Sequence, residues 1–135
     1  MEMTPFEKFI KVYEKSDVIF EEKSPGSEMF IIRSGKVKVS TTAPRGETVL
    51  ATLGPGEFFG EMALVDAAPR SGTATAEEDN TQLIVLDQEK FLYLIQQQPA
   101  FALTIMHTLC QRIRRRDLLY LDLLERTAEK GGLPE

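Results

Sequence analysis

The sequence is poor in the residues that build metal sites and nucleophilic catalytic sites. It has one histidine, one cysteine and no tryptophan among 135 residues. A zinc or iron site made of histidine and cysteine needs three or four such ligands, which excludes that class of site. His107 lies in an apolar helical pattern with Ile105 and Leu109, which is typical of a helix-surface or core-edge histidine. Cys110, expected to be a buried or half-buried helix residue, cannot form an internal disulfide, and this agrees with a cytoplasmic protein.

Long apolar runs and an excess of positive charge are also absent. No run approaches the roughly 20 apolar residues that cross a bilayer, and the amino terminus lacks the features of a signal peptide. The net charge of −5 predicts no bulk attraction to nucleic acid or to an anionic membrane. Because the composition is that of an ordinary globular protein, we expect one cytoplasmic domain over residues 1–135.

The middle of the chain has the texture of an all-β domain. From about residue 12 to residue 87, short β-prone runs alternate with turn signals, which is typical of a sandwich or barrel. The predicted strands are Val18–Phe20, Met29–Ile32, Lys36–Ser40, Thr48–Leu53, Phe58–Phe59, Thr73–Ala76 and Gln82–Leu86.

Helices are predicted on both sides of this region. Thr4 begins a capping box, and Phe6, Phe9 and Ile10 share one face of the short helix that follows, whose end is open because Tyr13 continues the spacing.

At the other end, Asp87 can cap a helix that runs to about residue 98. Pro99 interrupts the pattern, and a long helix follows to about Thr127, so that the carboxy-terminal helices occupy about residues 88–127. Residues 128–135 are expected to form a flexible tail.

The stretch 59–74 carries a group of residues suited to one ribose-phosphate. The planar guanidinium of Arg70 gives two parallel hydrogen bonds to an anion and never deprotonates. A short helix opened by Gly60 presents unpaired N–H groups to an anion. The carboxylate of Glu61 can accept from a sugar hydroxyl, and Ser71 offers another hydroxyl and N–H.

This stretch resembles the phosphate-binding cassette of the cyclic-nucleotide-binding domain family. The family pattern is roughly F-G-E-x-A-L, a short variable loop and P-R-x-A-T, and this chain reads FGEMAL, VDAA and PRSGT. The spacing between Glu61 and Arg70 matches the form found in the kinases of the family. The resemblance extends upstream through VIFEEKSPGSEMFIIRSGKVKV and downstream through the helices, so it covers nearly the whole chain.

The resemblance implies a fold that is mainly β with flanking helices. This fold is an eight-stranded jelly-roll barrel with a short amino-terminal helix, a short cassette helix and two carboxy-terminal helices. In the family, the final helix moves over the ligand when the site fills.

The resemblance also implies site residues and a function. Arg70 pairs with the exocyclic phosphate oxygens and Glu61 with the ribose 2′-hydroxyl, with Gly60 alongside. The backbone N–H groups that reach the phosphate are those of Met62, Ala63 and Ser71. The expected ligand is cAMP or cGMP, without any cofactor or metal, and the expected function is that of a sensor, not an enzyme.

The chain departs from the family pattern at four positions. The family often has glycine where this chain has Ser16 and Lys23, and aspartate where it has Ser27. Since these are turn positions, the geometry of those loops is open. Gly72 replaces the usual alanine, a small change that should leave the site usable.

The identity of the base is not decided by the cassette. A hydroxyl residue at position 71 favours cGMP in the kinases, but the bacterial catabolite activator has serine there and responds to cAMP. Of the two ligands we favour cAMP. Aligning Pro99 with the corresponding family proline puts Arg116 and Asp117 where adenine is contacted. The alternative is that the arginines of 112–116 form a solvated helix face.

Several functions besides a stand-alone sensor are open. The chain could be the ligand-sensing portion of a transcription regulator, a metal-dependent enzyme on a related barrel, or a dimerisation module that no longer binds nucleotide. A helix-turn-helix domain needs about 50 further residues, and eight follow Thr127, so we expect no direct DNA binding by this chain. The expected partners are a second copy along the final helix or an unidentified protein, and no membrane.

Overall fold

The computed structural model describes residues 5–42 and 46–129. The chain divides after Leu94 into two compact units. The elements, in chain order, are a 3-10 helix Pro5–Phe9, β1 Ile10–Tyr13, β2 Val18–Phe20, β3 Met29–Ser34, β4 Val37–Thr41, β5 Thr48–Leu53, β6 Phe58–Phe59, α1 Glu61–Asp66, β7 Thr73–Ala76, β8 Thr81–Leu86, α2 Gln88–Gln97 and α3 Ala100–Glu129.

The eight strands form two four-stranded antiparallel sheets. One sheet has the order β1-β8-β3-β6 and the other the order β2-β7-β4-β5. The buried core cluster takes side chains from both sheets, and its members are Phe30, Ile32, Val37, Phe59, Ala74, Leu83 and Val85. The mainly β fold with flanking helices, predicted from the sequence, is confirmed.

The β region begins earlier than the sequence pattern predicts. The pattern puts Ile10 on the amino-terminal helix, but that helix is a 3-10 turn and Ile10 begins β1. Strand β1 pairs with β8, from Ile10 opposite Ile84 to Tyr13 opposite Thr81. The three-residue spacing of Ile10 and Tyr13 fits one face of a helix equally well. The segment is a strand because it pairs with the distant β8. Thr4, the expected cap, lies outside the described residues.

The carboxy-terminal helices lie close to their predicted bounds. The carboxylate of Asp87 accepts a hydrogen bond from the backbone N of Lys90 at 2.8 Å, which confirms the predicted cap. Helix α3 continues beyond Thr127 to Glu129, so residues 128–129 are helical and not part of a tail. The predicted tail over 130–135 lies outside the described residues. None of the helices in the described ranges has the length and apolar character needed to cross a bilayer.

Helix α3 has several exposed apolar side chains. Cys110 is exposed too, so its expected burial is wrong. The large apolar residues of this helix with more than half of their surface exposed are Leu103, Met106, Ile113, Leu118, Leu119, Tyr120, Leu121 and Leu123.

Two turn residues adopt a backbone conformation that normally favours glycine. Ser16 has φ 76 and Lys23 has φ 69, and both stand where the related family often has glycine. Both turns are therefore left-handed although neither has glycine, the residue that adopts this conformation at no steric cost. The backbone N of Ser16 donates to Ala76 O at 2.8 Å, which ties this turn to the end of β7.

Replacing either residue by glycine should stabilise the fold. We expect Ser16→Gly to raise the free energy of unfolding by about 1 kcal/mol, because relief of the left-handed strain exceeds the added freedom of the unfolded chain. The control Lys15→Gly changes a neighbour whose φ is not positive, and should be destabilising. Urea denaturation measures both, and equal losses of stability in the two variants would contradict the strain argument.

Candidate functional site

The cassette helix α1 is short and is fixed by its buried face. Gly60 precedes it with φ 78 and ψ 10, a left-handed conformation that turns the chain from β6 into the helix. Ala63 and Leu64 are buried at 4% and 7% exposure, and they hold the helix against the core. The helix ends at Asp66, and the N–H of the following residue, Ala67, donates to Ala63 O at 3.1 Å. The short helix predicted after Gly60 is confirmed.

The backbone of Arg70 is held by the loop that follows β2. Its N–H donates to Ser24 O at 2.9 Å, and its carbonyl accepts from the N–H of Lys23 at 2.7 Å. Beside this pair, the N–H of Glu22 donates to Thr73 Oγ1 at 3.0 Å. These three bonds join the loop to the end of the cassette, so the position of the Arg70 Cα is fixed by both segments.

The side chain of Arg70 turns inward and points to Gly60. The residue is only 6% exposed, and its Nη1 donates to Gly60 O at 3.1 Å. Its Cζ lies 4.2 Å from the centroid of the Phe20 ring and 5.6 Å from that of Phe30. These rings pack with Phe59 into one aromatic cluster. A cation on an aromatic face is attracted by the ring quadrupole, so the cluster stabilises the guanidinium there.

The buried guanidinium has unused hydrogen-bonding capacity. Burial lowers the pKa of Arg70, and the nearby Glu28 carboxylate partly opposes this effect. An arginine remains charged at neutral pH even so. Among the residues that the structure describes, the buried Nε of Arg70 has no hydrogen-bond partner. An unpaired buried donor costs stability, so such groups are rare and frequently mark functional sites.

The other predicted cassette residues lie within a few positions of Gly60 or Arg70 in the chain. Glu61 is the first residue of α1, next to Gly60, and is half-buried. Met62 is 61% exposed, whereas Ala63 is buried. Ser71 is exposed and follows Arg70 directly. The bond from Arg70 to Gly60 thus brings the two halves of the predicted site together, and the roles assigned to these residues stay predictions.

The predicted lid residues lie in the second unit. Arg116 and Asp117 are exposed positions in the middle of α3. Their contact with the base stays a prediction. In the part of the chain that the structure describes, no three histidine, cysteine, aspartate or glutamate side chains are grouped closely enough to hold a metal ion.

Sequence reasoning missed the residues that pack around the guanidinium. The sequence pattern indicates only a strand at Phe20 and a turn at Gly26, and it does not single out Glu28. All three precede Arg70 by more than 40 positions, and the pairing of β2 with β7 and of the Lys23–Ser24 loop with the cassette brings the two segments together. No local pattern carries that information.

Gly72, which replaces the usual alanine of the family, is packed closely against β4. A Cβ at this position would lie 2.9 Å from Ser40 O and 3.2 Å from Val39 Cγ1. The glycine allows β7 to begin directly against β4, with which it pairs.

Comparison with known proteins gives a consistent result. The family model described as the cyclic nucleotide-binding domain matches residues 10–98. A cyclic AMP receptor protein of Thermus thermophilus is 42% identical over 115 residues, which cover 84% of this chain and 52% of that protein. The cGMP-dependent protein kinase 2 of Homo sapiens is 40% identical over 84 residues, which cover 61% of this chain and 11% of the kinase.

Solved structures give the same family. The crystal structure of the Thermus thermophilus catabolite activator protein matches with a TM-score of 0.75 and 41% identity, over 86% of this chain and 54% of that chain. The chain spans about half the length of the bacterial relatives it matches. With a family model over most of its β region, this chain belongs to the cyclic nucleotide-binding domain family.

Proposed function

We propose that the chain is a sensor that binds a cyclic nucleoside monophosphate, with Arg70 on the phosphate and Glu61 on the ribose. The observation that carries this is the buried guanidinium of Arg70, which faces Gly60 and has an Nε without a partner among the described residues. A cyclic phosphate brings one negative charge and two exocyclic oxygens. Charge-assisted hydrogen bonds to a guanidinium would supply the partners that this buried cation lacks.

The backbone around Gly60 supports the same ligand. The left-handed glycine lets the chain pass close to a bound molecule, and the N–H groups of Met62, Ala63 and Ser71 complete the proposed phosphate contacts. Glu61, at the first position of α1, is the proposed partner of the 2′-hydroxyl. Binding through these groups needs neither metal nor cofactor, and we propose that the chain is a binding domain and not an enzyme.

We propose cAMP as the preferred ligand. The bacterial relatives that match most of this chain carry cyclic AMP or cAMP in their names, whereas the cGMP-dependent kinase matches a shorter part. In this proposal Arg116 and Asp117 contact the base, and the guanidinium of Arg116 stacks on it. The coupling is a movement of α3 when the site fills, which requires two states of different ligand affinity.

The exposed face of α3 is the proposed contact to a second copy of the chain. Met106, Ile113 and Tyr120 recur every seven residues and are 52%, 60% and 60% exposed. Apolar residues seven apart form one of the two rows of a seam that pairs two helices, and the second row, Leu109 and Leu123, is interrupted by Arg116. The output passes through this dimer or through segments of a longer regulator, and this chain does not itself bind DNA in our proposal.

A ligand titration tests the sensor function. The thermal midpoint Tm is measured with increasing cAMP, cGMP and acyclic 5′-AMP. A ligand that binds only the folded state stabilises it by about 2.7 kcal/mol at a hundred times its Kd, which corresponds to a shift of several degrees. We expect a shift with cAMP at the lowest concentration, with cGMP at a higher one, and none with 5′-AMP.

The other outcomes are informative as well. A lower working concentration for cGMP would overturn the choice of base but keep the sensor. Unchanged Tm with both cyclic nucleotides at millimolar concentration would contradict the sensor and favour the dimerisation module.

A further inference from the structure

Gly26 lies directly against the guanidinium of Arg70. A Cβ at this glycine would be 2.5 Å from Cζ and from Nη2 of Arg70, and closer still to Nε. The φ of Gly26 is not in the left-handed region. The φ of this residue therefore does not itself require glycine, and the feature that favours glycine is the space that the Arg70 guanidinium occupies.

We propose that Gly26 is a positioning residue, whose missing side chain reserves the place of the Arg70 guanidinium. As far as the ligand is concerned, this inference rests on the function proposed above. The new element is that the loop of Gly26, more than 40 residues away in sequence, sets the direction of the Arg70 guanidinium.

The surroundings leave the guanidinium little freedom to avoid a methyl group. The backbone of Arg70 is tied to Lys23 and Ser24 through the bonds at 2.7 and 2.9 Å. One side of the guanidinium packs on the Phe20 ring, and Nη1 is held on Gly60 O. Rotation of the Arg70 side chain would accommodate a methyl at position 26, because the backbone of Arg70 is held by its bonds to Lys23 and Ser24. That rotation would move the planar fork away from the direction in which it meets a phosphate.

Affinity measurements test the positioning. Gly26→Ala should raise the Kd for cAMP by about tenfold or more, since a fork displaced by about 1 Å loses its bidentate geometry. The matched control is Gly54→Ala, because a Cβ there would meet only Glu57 Oε2, at 4.0 Å, and the φ of Gly54 is likewise not left-handed. The control should change the Kd by less than about twofold. Equal affinities of the two variants would overturn the proposal.

A stability cycle tests the same contact without any ligand. Gly26→Ala should lower the Tm of the empty protein by about 5 °C, as overpacking does in a filled core. In an Arg70→Leu background the same change should have little effect, because leucine lacks the three atoms that the new methyl would meet. A positioning effect predicts this dependence on Arg70, whereas a general structural role predicts an equal loss in both backgrounds.

The two sets of measurements separate the two proposals. If the wild-type protein binds no cyclic nucleotide, the sensor function fails, and the stability cycle still decides whether Gly26 reserves the place of Arg70. If Gly26→Ala does not fold but the double variant with Arg70→Leu does, the positioning is supported. If neither folds, the proposal is wrong.

Discussion

An Arg70→Leu variant is expected to bind cyclic nucleotide on the order of a hundred- to a thousand-fold more weakly than the wild-type protein. The loss of one partner from a buried, hydrogen-bonded charge pair costs about 2–5 kcal/mol of binding free energy, and each 1.4 kcal/mol is about a tenfold change in Kd. Leucine fills part of the space and offers neither charge nor donor to the phosphate. Isothermal titration with cAMP measures the change directly.

The empty Arg70→Leu protein should nevertheless remain folded, with a free energy of unfolding equal to or above that of the wild type. In the empty site the guanidinium is desolvated and donates to Gly60 O, but its Nε has no partner in the described part of the chain. Replacing an incompletely paired buried charge by an apolar side chain is often neutral or stabilising. On the proposed function, such a gain would mean that the wild-type protein gives up part of its stability to keep the phosphate-binding group in place.

Arg33→Leu is the matched control for this variant. It removes the same charge from a side chain that is 47% exposed and forms a surface ion pair with Glu7 at 3.5 Å. Such a pair contributes about 0–1 kcal/mol, and we expect no change in the Kd for cAMP. Equal Kd values for wild type and Arg70→Leu would show that Arg70 does not hold the phosphate, whereas equal losses in both variants would point to bulk electrostatics.

The sequence predicts the cassette residues of the candidate site better than the distant residues that pack against them. Gly60, Glu61 and Arg70 lie within one short stretch, so their types and spacing are sufficient to predict a ribose-phosphate site. Most strand positions are also predictable, because alternation and turn residues are local signals. Helix α1 is predictable for the same reason.

What the sequence does not predict depends on contacts between distant segments. The strand β1 exists because β8 pairs with it, and Gly26 matters because Arg70 fills the space beside it. Neither contact leaves a signature in its own neighbourhood. Ser16 and Lys23 show the opposite case, in which the loop keeps a left-handed turn although its residues no longer indicate one.

Gly60→Ala is expected to destabilise the protein by about 2–5 kcal/mol and to weaken nucleotide binding. Two costs combine at this position. A left-handed φ of 78 costs a residue with a Cβ about 1–2 kcal/mol. In addition, the new Cβ would lie 2.8 Å from Nη1 of Arg70 and 3.2 Å from Glu28 O, and overpacking of this kind typically costs about 1–3 kcal/mol.

Gly56→Ala separates these two costs. Gly56 has a φ of 87, so the backbone strain is of the same kind, but a Cβ there would meet nothing within 4 Å. Its loss of stability should therefore be limited to about 1–2 kcal/mol, and its Kd for cAMP should stay at the wild-type value. Denaturant unfolding and titration of both variants give the comparison.

The additional loss of stability and affinity in Gly60→Ala, compared with Gly56→Ala, measures the contribution of the contact between Gly60 and Arg70. If Gly60→Ala and Gly56→Ala lose the same stability and bind alike, then Gly60 serves only the turn into α1 and its contact with Arg70 is incidental. If Gly60→Ala loses more stability and more affinity than Gly56→Ala, then the carbonyl of Gly60 and the absence of a side chain there together hold Arg70 in place. The helix start and the buried cation then act as one unit, because any displacement of Gly60 also moves the acceptor to which Arg70 is bonded.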